Sequence, residues 1–446
     1  MPGIAEKNHL WRSPIVIALI ALALRLGALP FFYQSTYNNY QNHLLFGFET
    51  GRIARSIAEG HGFGNPLYVQ TGPTAWLTPV YPYLLAGVFK LFGVFTKTSA
   101  LVIFGLNALF SALVCFPLFR MAQRSFGRGV AVTACWIWTL YPYFIYIPVG
   151  FVWDTCLGAL LAATLFLCAL KLREQPGSWW SWLGFGALGG FAALTNASTL
   201  TLCPILAAWA IYPLWQHRKR WLSPAALVMA GLLLALLPWQ IRNYRTFHTH
   251  IPLRDVFWLE FWIGNNGNTS SWMDIDIHPS TNAEERAAFV RLGEIPYMRE
   301  KRREALAFLA QHPGLYFVQC LRRFVYLWTG FWNLDPSNLQ DEFHGFANIY
   351  LTLSLTIAML LGLWPAVRNS SVLGDGAFSV LHSSREAVLP YLLVLSFYPL
   401  VFYLAAPAIR YRHVIDPEVV VLAAVGVKFL LSKPVSPAKQ PLAQTL

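Results

Sequence analysis

Charged residues are scarce in this sequence: only 12% of its 446 residues are Asp, Glu, Lys or Arg, whereas 56% are hydrophobic and the mean hydropathy is +0.46. A chain this apolar cannot cover its hydrophobic side chains within a soluble core, which excludes an ordinary soluble globular protein. The six cysteines show no CxxC or His-rich spacing, so neither a zinc site nor a disulfide framework is predicted. No internal repeat is visible.

What the sequence does contain is a series of apolar segments of about 20 residues, the length that crosses a bilayer. They predict an all-α polytopic membrane protein, a bundle of about ten to twelve transmembrane helices with juxtamembrane helices and two large external loops. Arg25, inside the first span, costs roughly 2.5 to 3.5 kcal/mol to insert and should therefore face protein or a cavity. The ten predicted spans are 13–33, 100–119, 129–148, 153–170, 180–197, 199–215, 222–241, 345–367, 387–407 and 414–431.

The basic residues set the predicted orientation. The net charge of +12 comes mostly from short connections between spans, which indicates topology and no binding to nucleic acid. The positive-inside rule places the connections around Arg124, Lys171 and 218–220 inside only if the apolar segment 79–93 lies along the membrane surface without crossing it. The predicted regions are 1–241, a membrane module with a first external loop at 34–98; 242–344, an external region with interfacial helices; and 345–446, the C-terminal transmembrane helices.

The first external loop contains a short polar helix in the stretch FGFETGRIARSIAEGHGF. Glu49, Ile53 and Ile57 recur at helical spacing with arginines between them. This pattern predicts an amphipathic helix that lies on a membrane face and holds Glu49 near a lipid. Other polar clusters fall on the same predicted external face, and such convergence of distant segments indicates a site. They are Glu49 with His61, Asp154 in FVWDTCLGALL, Arg242 and Asn243 in PWQIRNY, and Arg410, Arg412, His413 and Asp416 in RYRHVIDP.

These stretches, taken in order, resemble the bacterial membrane glycosyltransferases of the GT-C superfamily, including glycosyltransferase family 39 and the protein O-mannosyltransferases. The resemblance rests on an acid before Ile-Ala-Arg-Ser and Glu-Gly-His-Gly-Phe, just after the first apolar segment. It implies an inverting transfer of a hexose, mannose by family resemblance, from a polyprenyl-phosphate donor to a protein, lipid or glycan acceptor. The implied location is the external, periplasmic face of a bacterial inner membrane.

The resemblance also implies roles for the acids. Glu49 corresponds to the first-loop acid and would be the catalytic base, and Asp154 to the second acid, which would help to hold a metal or orient the acceptor. For the departing lipid phosphate the sequence offers Arg242, Arg410 and Arg412, since guanidinium groups bind phosphate in a bidentate manner. In an extended turn Arg410 and Arg412 would point the same way and grip one phosphate. The predicted supporting residues are His61, Asn243, His413 and Asp416.

Each assignment has a simpler alternative. Glu49 would be a solvated helix residue paired with an arginine, and Asp154 would be a helix N-cap. The arginines would snorkel to lipid headgroups. A divalent metal stays open, with His61 and His43 as candidate ligands, and no cofactor is implied with certainty. For the whole protein, the rival functions are a transporter or flippase of an anionic lipid or lipid-linked sugar, and a polymerase or ligase that uses lipid-pyrophosphate glycans.

Overall fold

The computed structural model describes residues 10–38, 46–269, 273–332, 346–368, 384–406 and 408–431, and the described residues form helices joined by loops, with a single isolated β-bridge. The helices are α1 Pro14–Asn38, α2 Glu49–Ala58, α3 Val80–Phe92, α4 Lys97–Leu113, α5 Cys115–Phe126, α6 Arg128–Leu140, α7 Pro142–Gly150, α8 Thr155–Glu174, α9 Trp179–Thr195, α10 Leu202–Gln216, α11 Leu222–Phe247, α12 Phe257–Gly264, α13 Ala283–Leu292, α14 Glu294–Gln311, α15 Pro313–Thr329, α16 Phe346–Val367, α17 Ser384–Phe397, α18 Leu400–Leu404, α19 Ile409–Arg412 and α20 Asp416–Leu431. His43 and the segment that links α16 to α17 lie outside the described residues.

Among the described residues, seven helical segments are long and apolar enough to cross a membrane. The bent pair α6 and α7, which meet at 51°, makes an eighth span if the two helices cross together. Two further predicted spans correspond to α9 and α20, which have 17 and 16 residues and are shorter than a typical span. The all-α polytopic membrane fold is confirmed, while ten as the number of crossings stays a prediction. Helix α3 has 13 residues, about 20 Å of helix, which is too short to cross the hydrocarbon.

Small residues let the central helices pack closely. A Cβ atom added to Gly186 of α9 would overlap the backbone of α11, and one added to Gly231 of α11 would overlap α9. Gly362 of α16 and Gly426 of α20 approach each other's helices in the same way. Close backbone approach of this kind is how helices associate in a bilayer, where lipid leaves little hydrophobic driving force between them.

Arg25 points into the bundle, as its position in the first span predicted. It is fully buried and donates hydrogen bonds to Ser111 Oγ at 2.9 Å, the Ala21 carbonyl at 3.0 Å and the Trp138 carbonyl at 2.9 Å. These bonds join α1 to α4 and α6. The guanidinium group is therefore satisfied by protein, which is what makes a cation tolerable at this depth.

The two external regions interlock. Glu294, the first residue of α14, accepts a hydrogen bond from the Thr74 hydroxyl and one of 2.5 Å from the Ala75 backbone N–H. Trp76 packs edge-on against Phe289 of α13, with ring centroids 5.5 Å apart. The first external loop is thus held against the second external region.

Helix α2 is enclosed by protein, which corrects the expectation that it lies on a membrane face. Seven of its ten residues are buried, including Glu49 and Arg52. Its amphipathic pattern is real, but the polar stripe faces the loop at Ser280 and the apolar stripe packs on α3 and Trp76. An amphipathic helix buries its apolar face against whatever surface is available, and in this protein that surface is the rest of the chain.

Candidate active site

A cavity of about 240 Å³ opens where the first external loop, the second external region and the end of α18 meet. We call it the Glu49 cavity. It combines three acids, two arginines and a histidine with an aromatic and aliphatic wall. Its polar lining comprises Glu49, Thr50, Thr78, Asp154, Thr195, Asn196, Ser198, Arg254, Glu260, His278, Ser280, Thr281 and Arg410.

Glu49 is the first residue of α2 and is held through one carboxylate oxygen. Oε1 accepts a hydrogen bond of 2.9 Å from Ser280 Oγ and lies 3.7 Å from Arg52 Nη1 and 3.9 Å from His278 Nε2. Oε2 accepts no hydrogen bond from the residues that the structure describes. The alternative of a solvated helix residue does not hold, because the Glu49 side chain is only 12% exposed. One oxygen is thus positioned while the other is left for a ligand.

His278 presents an N–H group towards Glu49. Its Nδ1 accepts a hydrogen bond of 3.0 Å from the Ser280 backbone N–H, so in the neutral ring the proton sits on Nε2, the atom nearest Glu49. Burial lowers the pKa of His278, and the neighbouring Glu49 carboxylate partly opposes that effect. A neutral imidazole near pH 7 would orient the Glu49 carboxylate and leave that carboxylate able to accept a proton.

Asp154 precedes α8, but its side chain does not cap the helix, which corrects the N-cap alternative. Both carboxylate oxygens accept from Asn196 Nδ2 at 3.3 Å instead. Burial raises the pKa of Asp154 to about 6, and the amide of Asn196 and the charges of Arg254 and Arg410 limit the rise. Glu49 and Asp154 therefore line the same cavity in different environments, as acids with separate roles do.

Two guanidinium groups line the cavity. Arg254 makes a bidentate ion pair with Glu260, at 3.2 and 3.0 Å. Arg410 lies over the ring of Trp153, with its guanidinium carbon 4.8 Å from the ring centroid. Both arginines interact electrostatically with Asp154. Aromatic stacking and carboxylate pairing hold such groups in fixed orientations, which suits recognition of a phosphate.

Arg412 does not line the Glu49 cavity, which corrects the prediction that it shares a phosphate with Arg410. The expected extended turn is the short helix α19, in which side chains two residues apart point in different directions. Arg412 is 1% exposed and donates to Asp416 Oδ1 at 2.9 Å and to the Leu327 carbonyl at 3.2 Å. His413 is fully buried, stacks on Trp138 and lies 3.4 Å from Asp416. These residues join α15, α16 and α20 inside the bundle.

Arg242 and Asn243 also lie away from the Glu49 cavity. Arg242 donates to the carbonyls of Thr74 at 2.6 Å and Phe63 at 2.7 Å, and Asn243 donates to the Ile251 carbonyl at 3.1 Å. Arg242 attaches the first external loop to the end of α11, and Asn243 fixes the chain that follows α11, so their contacts support a structural role and not the predicted phosphate contact. His61 is separated from Glu49 by the length of α2, and its side chain is 57% exposed.

Several cavity residues were missed from the sequence. Arg254, His278 and Ser280 lie in irregular segments between helices, where no periodic pattern marks them. Asn196 follows the end of α9 and gave no signal beyond that position. The packing of the second external region against α2 brings His278 and Ser280 to Glu49. Within the described ranges, no group of three or more His, Cys, Asp or Glu side chains is placed to hold a metal ion.

Comparison with solved structures shows that the fold of this chain recurs in known membrane proteins. The archaeal oligosaccharyltransferase AglB from Archaeoglobus fulgidus, in complex with an inhibitory peptide and a dolichol-phosphate, aligns with a TM-score of 0.56 at 15% identity over 94% of this chain and 50% of that chain. The apo form of the Archaeoglobus fulgidus oligosaccharyltransferase gives 0.55 at 13% identity, with the same coverage of 94% and 50%. This chain thus spans about half the length of the oligosaccharyltransferases it matches.

Residues 76–241 match the family model described as dolichyl-phosphate-mannose-protein mannosyltransferase. ArnT from Cupriavidus metallidurans in the apo state aligns with a TM-score of only 0.34, at 16% identity over 86% of this chain and 72% of that chain, a value too low to compare the two folds. No curated protein sequence matches the chain significantly. The family-model match at 76–241 agrees with the resemblance first indicated by short motifs, and the structural matches show a shared fold.

Proposed function

We propose that this protein is a membrane glycosyltransferase that moves a sugar from a polyprenyl-phosphate donor to an acceptor outside the membrane, with Glu49 as the base. The observation that carries the proposal is one cavity in which Glu49, Asp154, Arg254 and Arg410 come together from four distant segments. The family match at 76–241 supports transfer of a hexose such as mannose. The dolichol-phosphate in the structure of the archaeal oligosaccharyltransferase supports a lipid-phosphate carrier.

The proposed reaction is a single displacement that inverts the anomeric carbon. The acceptor oxygen attacks that carbon while Glu49 takes the acceptor proton, and the bond from the anomeric carbon to the phosphate oxygen breaks. The lipid phosphate leaves with the bonding electron pair, and the cationic groups of the cavity stabilise its charge. No general acid is needed, since a phosphate leaves as an anion.

The contacts assign a role to each group. Ser280 and the neutral His278 orient Oε1 of Glu49, which leaves Oε2 for the acceptor proton. Arg410 and Arg254 would receive the donor phosphate, Arg254 being drawn from its pair with Glu260. Asp154, held by Asn196, would accept a hydrogen bond from a hydroxyl of the acceptor or the sugar. The bacterial inner membrane and its periplasmic face remain part of the proposal, supported by the basic connections.

The decisive test measures release of polyprenyl phosphate from synthetic polyprenyl-phosphate hexoses by the purified protein, with peptide, lipid and glycan acceptors. Glu49→Gln keeps the shape and the bond from Ser280 but cannot accept a proton, so turnover should fall about 10² to 10⁴-fold while donor affinity is unchanged. Glu59→Gln, on an exposed acid just after the same helix, is the matched control and should keep wild-type turnover. Wild-type turnover by Glu49→Gln, or lipid translocation without cleavage, would reject the proposal.

A further inference from the structure

Glu260 is the third acid of the Glu49 cavity and takes no part in the bond changes of the proposed displacement. It lies in the first turn of α12 and accepts hydrogen bonds from Arg254 at both carboxylate oxygens, 3.2 Å from Nη1 and 3.0 Å from Nη2. Arginine binds a phosphate with the same pair of parallel N–H groups. Glu260 therefore occupies the N–H groups that a phosphate at Arg254 would use.

The charges of the cavity make this overlap consequential. Its charged lining comprises three acids, Glu49, Asp154 and Glu260, and two guanidinium groups, Arg254 and Arg410. A phosphate that entered while Glu260 stayed on Arg254 would lie beside a carboxylate, and two anions at that distance repel each other. If Glu260 leaves Arg254, the phosphate gains a bidentate partner and the repulsion weakens.

Glu260 is placed so that it can leave. Its side chain is 36% exposed and that of Arg254 is 25% exposed, whereas the Glu49 side chain is only 12% exposed. A carboxylate with the exposure of Glu260 can turn into water and be hydrated there. Ion pairs between partly exposed side chains are weak. Exchange of Glu260 for a phosphate on Arg254 should therefore be readily reversible.

The proposed transfer also changes the charge of the lipid phosphate. The donor is a phosphodiester with a single negative charge. Cleavage of its bond to the anomeric carbon leaves a phosphomonoester, whose second pKa of about 6 gives it a charge of about −1.5 to −2 at pH 7. Two guanidinium groups bind such a product more tightly than the donor. Its release is slow unless another anion takes its place on Arg254.

We infer that Glu260 is a built-in competitor for the donor-phosphate site. It leaves Arg254 when the donor phosphate binds, and it returns to Arg254 as the lipid phosphate departs, which favours release of the product. The inference rests on the proposed function, because it requires a lipid phosphate at Arg254.

Equilibrium binding of a polyprenyl-phosphate hexose and of polyprenyl phosphate to the purified full-length protein tests the inference by the sign of the change. Glu260→Gln removes the competing charge. It should tighten binding of the donor about threefold and of the product about tenfold, because the product carries about twice the charge. KM for the donor and kcat should both fall as product release becomes limiting. If Glu260 only positions Arg254, the same variant should bind both lipids more weakly.

Three further variants separate competition from a general effect of charge. Glu260→Asp keeps the charge on a side chain one methylene shorter, so it should lose the bidentate pair and also bind the product more tightly than the wild type. In an Arg254→Met background, Glu260→Gln should change the affinities little, because both residues act on one phosphate. Glu300→Gln, from an Arg–Glu pair on α14 whose acid is 39% exposed, is the matched control and should leave both affinities unchanged.

Unchanged or weaker product binding in Glu260→Gln would overturn the inference and leave the proposed function standing, provided that the variant elutes in size exclusion as the wild type does. Where it does not, Glu260→Asp is judged by the same criterion. Product binding that tightens in Glu260→Gln and stays at the wild-type value in Glu260→Asp would show a general charge effect and would also overturn it. Failure of the wild-type protein to bind either lipid would reject the proposed function, and this inference with it.

Discussion

Arg410 and Arg412 lie on the same short helix, α19, but in different environments: Arg410 lines the Glu49 cavity, whereas Arg412 is buried in an ion pair inside the helix bundle. Arg410 faces the Glu49 cavity beside Asp154 and stacks on Trp153. Arg412 is sealed in the bundle by Asp416 and two neighbouring helices. A helix turns successive side chains by about 100°, so residues two apart end on different sides. The same residue type therefore lines a cavity at one position and is buried in the helix bundle two residues further along the chain.

Of the changes that test this difference between the two arginines, replacement of Arg412 should have the largest effect, a loss of protein stability. Arg412→Ala leaves Asp416 buried without its cation, and removal of one partner of a buried pair costs about 3 to 5 kcal/mol. We expect a large fall in the thermal unfolding temperature and in the yield of monodisperse protein. Replacement of both Arg412 and Asp416 by leucine should destabilise the protein less than Arg412→Leu alone. If Arg412→Ala unfolds like the wild type, the sealed network does not stabilise the bundle.

Replacement of Arg410 should weaken donor binding and leave the stability of the protein nearly unchanged. Arg410→Ala removes a cavity cation and should weaken binding of a polyprenyl-phosphate sugar about ten- to a hundredfold, the range of a charge-assisted hydrogen bond. Arg410→Lys should recover part of that affinity, because charge is kept while the planar fork is lost. The thermal unfolding temperature should change little in either variant. Arg303→Ala, at an arginine that is 78% exposed on α14, serves as the control. Unchanged donor affinity in Arg410→Ala would mean that Arg410 is not part of the phosphate site.

A smaller effect is expected in the pH dependence of turnover. Asp154 accepts two contacts from Asn196 as a carboxylate, and its pKa is raised to about 6 by burial. If the ionised form is the active one, kcat/KM should rise through about pH 6. Asp154→Asn should lower kcat/KM at neutral pH about tenfold and abolish that rise. The same rise in the Asn variant would mean that another group titrates there.

The smallest effect concerns the contact that joins the two external regions. Burial and the adjacent charge of Asp255 raise the pKa of Glu294 above its usual 4.5. The folded protein then keeps a proton that the unfolded chain has already released, so stability falls as the pH rises above about 4.5. Glu294→Gln mimics the protonated acid and should reduce this fall by about 1 kcal/mol between pH 5 and 8. An undiminished pH dependence of thermal unfolding in the Gln variant would assign it to other groups.

Much of the fold could be predicted because its determinants are local. Apolar segments of spanning length, the inward-facing Arg25 and the helical period of the Glu49 stretch all depend on residues near one another in the chain. The same information predicted that Glu49, Asp154 and Arg410 lie on one face, and the structure places the three in one cavity. The prediction that Arg410 and Arg412 point the same way was wrong, because it assumed an extended turn where 409–412 is helical.

By itself, then, the sequence determined the membrane class and the helical architecture, because hydropathy and helical period are properties of neighbouring residues. It also indicated Glu49 and Asp154, two of the three acids that line the cavity. Only the tertiary structure decided which arginines face that cavity. It placed Arg254, His278 and Ser280 in the same cavity as Glu49, and it turned Arg242 and Arg412 towards backbone carbonyls inside the protein. The physical reason is that a side chain's partners depend on which distant segment packs against it, and no local pattern records that choice.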